Sequence, residues 1–342
     1  AYIPGHNGKG EGTTTAVLVG RRRPPLQPEI RVVMGIRSEP GRPADPSRGF
    51  VWRAIVLQTD SAKTESEWLS VRDIPRAHLA KHPWSLGGGG ASELVRELQL
   101  TNRRKLKTLV SSVGFAAFSG EDEVFIRPRG VFERAGVAAD YIRVLVKGED
   151  IRDWIIGPES ECLCLYDLKT HRPLPAPRGP VTRVLWPFRT HLMSTRGFGG
   201  RRKSQSGTPW WHWYRWLPQR LSAPLPLAYA YVATHAHVAR GRANQVFRGG
   251  ASVGVIKLRP ESTDEDHHLL SAFLNSSVSC FLARQLFYPK GGFASGKWEE
   301  RLEWDATKLR EFPVPEGNCV ELARRLDVCA LSVSGVSLGV DW

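Results

Sequence analysis

Short apolar runs separated by turn-forming clusters dominate the first part of the chain. TTTAVLVG (13–20), IRVVMGI (30–36) and FVWRAIVLQ (50–58) each read as a strand, because RRRPPLQP and SEPGRPADPSRG punctuate them with Pro and Gly. After the GGGG run at 87–90, Ser92 stands where it would cap a helix from about Glu93 to Thr108, with Leu94, Leu98 and Leu109 near one face. GFAAFSGEDEVFIRPRG (114–130) alternates as a hairpin, and YIRVLVKGEDIRDW (141–154) reads as a strand that runs into a polar turn. PLAYAYVATHAHV (226–238) and ASVGVIKL (251–258) predict further strands, joined by the basic turn ARGRANQVFRGG. Ser262 and Glu265 have the spacing of a capping box ahead of HHLLSAFLNSSVSCFLARQLF (267–287). Leu270, Phe273, Leu274, Ser277 and Phe281 in that segment form one helical stripe. KLREFPVP (308–315) reads as a short extended segment ended by proline, and GNCVELARRLDVCAL (317–331) as the start of another helix. No repeat of solenoid length is visible. The pattern predicts an α+β chain with a connecting helix in its first third and a second domain starting near Val113.

With 342 residues and 41% apolar composition, the chain is long enough for two or three domains and a substantial core. It contains no apolar stretch of membrane-spanning length, and its first residues lack the charged and apolar regions of a signal peptide. A soluble, cytoplasmic protein with no membrane partner is expected. Cys162, Cys164, Cys280, Cys319 and Cys329 are odd in number and form no CxxC pair, which fits reduced thiols. The chain starts at Ala1 inside what reads as a motif, so a fragment of a longer protein is expected.

The net charge of +14 is unevenly spread. The 93 residues between Asp167 and Glu261 hold 16 Lys and Arg and no acidic residue, whereas the rest of the chain holds 32 basic and 34 acidic residues. A field of one sign over such a span attracts a polyanion, and nucleic acid is the partner class it favours. Inside the window, RGFGGRRKS (196–204) offers Arg196, Arg201, Arg202 and Lys203 as cations. Gly197, Gly199 and Gly200 would allow backbone amides close to phosphate. A plain solvated loop is the competing reading. In TPWWHWYRW, Trp210, Trp213, Tyr214 and Leu217 recur at helical spacing and read as core. Trp211, His212 and Arg215 fall off that stripe and are the residues expected to touch bases or sugars.

Other patterns are weaker. His235 and His237 lie two apart on an expected strand, a spacing zinc can use, but no third or fourth ligand is within sequence reach, so no metal site is expected. His267 and His268 open a helix and read as a surface feature. Lys290, in the segment Tyr288, Pro289, Lys290, Gly291, Gly292, either reaches nucleic acid or belongs to a helix C-cap. The glycine run at 87–90 lacks the Lys-Ser/Thr of a phosphate loop, which argues against a nucleoside triphosphatase.

The order of several motifs adds a family. AYIPGH, TTTAVLVGRRR, MGIRSEPGRPADP, RGFVWRAIV, ESEWLSV, KHPWSLGGGG, VGFAAFSGEDEVF, VKGEDIRDW, LWPFRT, FLNSSVSCF and KLREFPVP follow one another along nearly the whole chain. This order resembles the adenine-N6 DNA methyltransferases of phage-defence systems of the phage growth limitation, or BREX, type (the PglX family). KGEDI and the final FPVP also look like target-recognition domains of restriction and modification enzymes. The resemblance implies S-adenosylmethionine as methyl donor, duplex DNA as partner, adenine flipped from the helix as acceptor, and other proteins of a defence system as further partners.

By the same resemblance, residues 1–80 would be the C-terminal end of an α/β catalytic domain and 81–112 a linker helix. Residues 113–315 would form a mixed α/β target-recognition domain, and 316–342 a helical tail. Tyr2, His6 and Thr13 would either border the adenine pocket or belong only to an edge strand. The family's Asn-Pro-Pro-Tyr motif is missing: the one Pro-Pro pair is Pro24-Pro25, between Arg23 and Leu26. Gly197–Gly200 lies in a basic stretch with no strand expected before it and does not suit a methyl-donor loop. No catalytic or cofactor-binding residue is therefore expected in this chain, and those functions are expected N-terminal to Ala1. Two alternatives are a stand-alone DNA-binding specificity subunit and an inactive remnant. An RNA-binding protein would need recognisable aromatic or GXXG signatures, and none here is convincing.

Overall fold

The computed structural model describes residues 2–3, 13–14, 24–41, 43–80, 84–102, 104–167, 170, 172–197, 200–222, 224–287, 290, 301–316 and 319–338. Most of the expected strand at 13–20 lies outside them, as do His6, Gly199, Tyr288, Pro289, Gly291 and Gly292. The chain divides into two compact units, residues 1–103 with 281–302, and residues 104–280 with 303–342. No described helix is long and apolar enough to cross a membrane. All five cysteines are free.

In the first unit, Glu29–Gly35 pairs antiparallel with Leu69–Pro75 over seven residues, and Thr64–Glu65 adds a short third strand. The segment expected as a third strand is instead the helix Phe50–Gln58. Its first turn is capped from a distance: the Glu39 carboxylate accepts from the amides of Phe50 and Val51 at 2.6 and 2.9 Å. That satisfies two donors a helix start leaves open, and Phe50 stacks on Trp68 at 5.3 Å. Tertiary contacts of this kind override a local strand preference. The next helix, Ala91–Thr101, is shorter than expected, with Gly90 rather than Ser92 at its cap. The glycine run before it hydrogen-bonds to the sheet, Gly88 N–H to Gly35 C=O at 2.8 Å.

The second unit contains two four-stranded sheets. One orders Gln245–Phe247, Ile142–Val146, Ser160–Leu163 and Ile126–Pro128, and only its first pair is parallel. The other orders Val238–Arg240, Leu227–Ala230, Val253–Leu258 and Val110–Gly114, all antiparallel. The α+β class read from the sequence is therefore correct, but the hairpin expected at 114–130 does not form. Ala117–Phe118 pairs with Arg215–Trp216, Asp122–Phe125 is one helical turn, and Ile126–Pro128 pairs with Ser160–Cys162. Buried Glu161 ties this arrangement together by accepting from the amides of Gly130 and Phe132 at 2.9 and 2.8 Å.

The single helix expected over 267–287 is two, Asp264–Leu274 and Ser277–Leu286. Asn275 causes the break, because its amide leaves the helix to bond both backbone groups of Val238, at 2.8 and 2.9 Å. The capping box is Thr263 with Asp266, one residue later than expected from Ser262 and Glu265. His267 and His268 are buried rather than on the surface, bonded to Thr263 C=O at 2.9 Å and to the Asp264 carboxylate at 3.1 Å. The helix Ala306–Arg310 takes in the first three residues of KLREFPVP. Only Phe312–Val314 lies extended, against Arg104–Leu106.

One close approach gives a stability test. A Cβ on Gly254 would lie 2.0 Å from the buried ring of Tyr229, whereas one on Gly157 would meet nothing within 4 Å. Gly254→Ala is expected to destabilise the protein by about 1–3 kcal/mol through overpacking. Gly157→Ala should leave the urea midpoint nearly unchanged, and equal midpoints for the two variants would show that the ring has room to move.

Candidate functional site

The acid-free window becomes a continuous feature of the second unit. Pro180–Leu185, Trp186–Phe188 and Arg189–Ser194 are successive helical turns, and the basic loop follows directly. The loop closes on itself: Gly197 N–H donates to Arg201 C=O at 2.7 Å, Gly200 N–H to Gly197 C=O at 3.0 Å, and Arg196 bridges Arg202. Gly200 has φ +80°, a left-handed conformation that glycine adopts without steric cost. These bonds correct one expectation. The amides of Gly197 and Gly200 are used inside the turn, so at these two glycines an anion contact falls to side chains.

Arg196, Arg201 and Arg202 are exposed, but Lys203 is not. It is buried, and its ammonium donates to His212 C=O at 2.5 Å and more weakly to Trp210 C=O at 3.4 Å. The expectation of Lys203 as a surface cation is therefore corrected. It joins the end of the basic loop to the aromatic run.

That run is not helical, contrary to the reading of its spacing. Its backbone bonds go elsewhere: Tyr214 N–H to Ser119 C=O, Leu217 N–H to Ala116 C=O, and Trp213 N–H to the Tyr166 hydroxyl, each at 3.0 Å. Trp213 is core, as expected, with its indole N–H on Leu163 C=O at 3.1 Å. Trp216 stacks on Tyr166 at 4.2 Å, and Tyr214 meets Phe118 edge-on at 5.3 Å. Between these rings lies an open groove of about 540 Å³, lined by Tyr166, Arg172, His212, Tyr214, Arg215 and Trp216 among others. Two of the three off-stripe residues, His212 and Arg215, line it. Trp211 instead packs edge-on against Trp210 and His212. Arg172 and Tyr166 come from outside the aromatic run, and no spacing in the sequence connects them to it.

Burial, and then the nearby Lys203 ammonium, hold the His212 pKa below its ordinary value. At neutral pH its ring is uncharged and offers one donor and one acceptor.

Other basic residues of the window differ in their partners. Arg248 pairs with Asp122 at 2.6 Å, Arg240 pairs with Asp264, and buried Lys257 donates to the carbonyls of Ser222 and Pro224. Arg172, Arg178, Arg183, Arg196, Arg201 and Arg202 are exposed, and no carboxylate pairs with them among the described residues. Lys290 is also exposed but lies in the first unit. A grouping that the sequence did not suggest joins Asp153 to His235 and His237, with one donor atom of each within 4.8 Å of the others.

Desolvation lowers the Lys203 pKa from 10.5 to about 8, with Glu121 partly offsetting it. Between these values the unfolded chain holds the proton that the folded chain has lost, so stability rises with pH through that window. The urea midpoint is expected to climb from pH 8 to 10.5 relative to that of Lys203→Met. Parallel profiles for the two proteins would show that the ammonium is not desolvated.

No family model matches the chain. Over 98% of its length it is 35% identical to the adenine-specific methyltransferase PglX of Streptomyces coelicolor, and it spans 28% of that protein. Among solved structures, the type IIL restriction-modification enzyme MmeI, determined in complex with DNA, aligns with 70% of this chain and 29% of its own, at 12% identity and a TM-score of 0.44. Over almost its whole length, then, the chain is a relative of one portion of a PglX-type adenine-specific methyltransferase, as the order of its motifs implied.

Proposed function

We propose that this chain is the DNA target-recognition portion of a phage-defence adenine-N6 methyltransferase. The observation that carries the reading is the set of exposed arginines from Arg172 to Arg202 with no carboxylate partner among the described residues, of which Arg172 lines the open aromatic groove. Similarity to PglX supports the methyltransferase context. Exposed guanidiniums neutralise phosphates and set the register without regard to sequence, and groove side chains such as Arg215 and neutral His212 then meet base edges. Lys290 is a further proposed phosphate contact.

The described residues do not fit a methyl-donor site. The glycine loop at 197–200 follows a helix rather than a strand, its amides at Gly197 and Gly200 are internally bonded, and no Asn-Pro-Pro-Tyr is present. This chain therefore contributes recognition, and the chemistry on the flipped adenine belongs to the motif it lacks. Other proteins of a defence system are proposed partners on the strength of the resemblance alone.

The test is the salt dependence of binding to duplexes of varied sequence, read by fluorescence anisotropy. Replacing Arg196, Arg201 and Arg202 together by Gln, with Lys203 left in place, should weaken binding across all sequences. Each lost phosphate contact should reduce the slope of log K against log salt by about 0.9. An unchanged slope would remove the loop from the interface, and a wild-type chain that ignores duplex DNA at low salt would overturn the reading.

A further inference from the structure

Asp153 and Trp154 form the two-residue turn of a small hairpin whose arms, Ile151–Arg152 and Ile155–Ile156, pair antiparallel. Their φ values of 38° and 78° are both left-handed, as a type I′ hairpin turn requires. The turn carries the Asp153 carboxylate to the histidines His235 and His237, the latter 84 residues away in sequence. Asp153 Oδ1 lies 3.1 Å from His237 Nδ1 and 3.5 Å from His235 Nε2, and the two imidazole centroids are 4.1 Å apart.

These separations match those of ligands around a metal ion. A tetrahedral ion bonded to nitrogen and oxygen at about 2.0–2.1 Å holds its donors roughly 3.3 Å apart. The hydrogen bonds agree. Asp153 N–H and Asp153 Oδ1 lie 3.2 and 3.1 Å from His237 Nδ1; with the ring proton on Nε2, Nδ1 carries one lone pair, which a cation between it and the carboxylate would take over from the amide. His235 Nδ1 is 3.0 Å from the Thr234 hydroxyl. With the ring proton on that side, Nε2 carries a lone pair towards Asp153, the kind of outer partner that orients metal-bound histidines. Three candidate ligand atoms thus lie within 4.8 Å of one another. His237 is buried, while His235 and Asp153 are solvent-accessible, so a fourth position opens to water.

We propose that Asp153, His235 and His237 form a binding site for a divalent transition-metal ion of the zinc class, with water completing the shell. Two imidazoles and one carboxylate suit zinc, cobalt or nickel over magnesium and calcium, which take oxygen ligands. The ion clamps the Asp153 turn to the 234–238 segment and locks two distant parts of the second unit together.

The test uses the full chain, prepared without a histidine tag, stripped with chelator and titrated with Co2+ and then Zn2+. One equivalent of Co2+ should give visible d–d absorption of tetrahedral intensity, Zn2+ should displace it, and Zn2+ should raise the melting temperature. His235→Gln and Asp153→Asn alter accessible side chains from different segments. Each should weaken binding by more than about tenfold, with the metal-free melting temperature kept. Absence of saturable absorption would overturn the proposal and leave an ordinary hydrogen-bonded cluster. So would Co2+–thiolate charge-transfer bands, or affinity unchanged in both variants.

Discussion

The arrangement of the acid-free region depends on one buried ammonium. Lys203 stands at the end of the basic loop, yet its side chain turns inward to the carbonyls of Trp210 and His212. An apolar side chain of similar length would fill the space but leave two carbonyls short of a donor, and unpaired buried acceptors cost about 1–3 kcal/mol each. The bond joins two segments the sequence shows only as neighbours. The loop closes through its own amides and keeps Arg196, Arg201 and Arg202 outside, while Trp213 is drawn into the core and the rings on either side of it form the groove wall.

The net charge is accordingly more localised than the composition suggests. Asp122, Asp264 and Glu261, all outside the acid-free window, reach Arg248, Arg240 and Arg259 near its end. Lys203 and Lys257 are consumed by backbone carbonyls. Among the described residues, most of the exposed charge with no carboxylate partner is left on the stretch from Arg172 to Arg202, with Arg242 apart from it. Screening confines each exposed charge to within about 8–10 Å at physiological ionic strength, so clustering on one stretch matters more than the total.

The α+β class, the strands at 29–35, 142–146, 227–230 and 253–258 and the burial of Trp213 were legible from local pattern. The misread elements share a cause, which is that distant partners decided them. Glu39 caps the Phe50 helix from outside it, Asn275 breaks a continuous apolar stripe to satisfy Val238, and Ala116–Ser119 takes the backbone bonds that would have made the aromatic run a helix. Spacing within a run carries no trace of such partners. The site was half legible for the same reason. His212 and Arg215 were found because they fall off the stripe, but Tyr166 and Arg172 reach the groove only through the fold, and Asp153 meets His235 and His237 only because a hairpin turn carries it there.

The proposed recognition surface divides its chemistry by solvation. A guanidinium held in water interacts with a phosphate equally well whatever base is attached, so in the proposed reading Arg196, Arg201 and Arg202 would contribute affinity without discrimination. Discrimination needs groups whose hydrogen-bonding direction is fixed and whose unpaired state is costly. His212, kept neutral by burial and by the charge of Lys203, and Arg215, anchored on the strand beside Phe118, meet that condition on the groove wall. The same ammonium that positions the wall thus also helps burial to keep a ring that lines it neutral, so a change at Lys203 acts on both the shape of the groove and the hydrogen-bonding state of its wall.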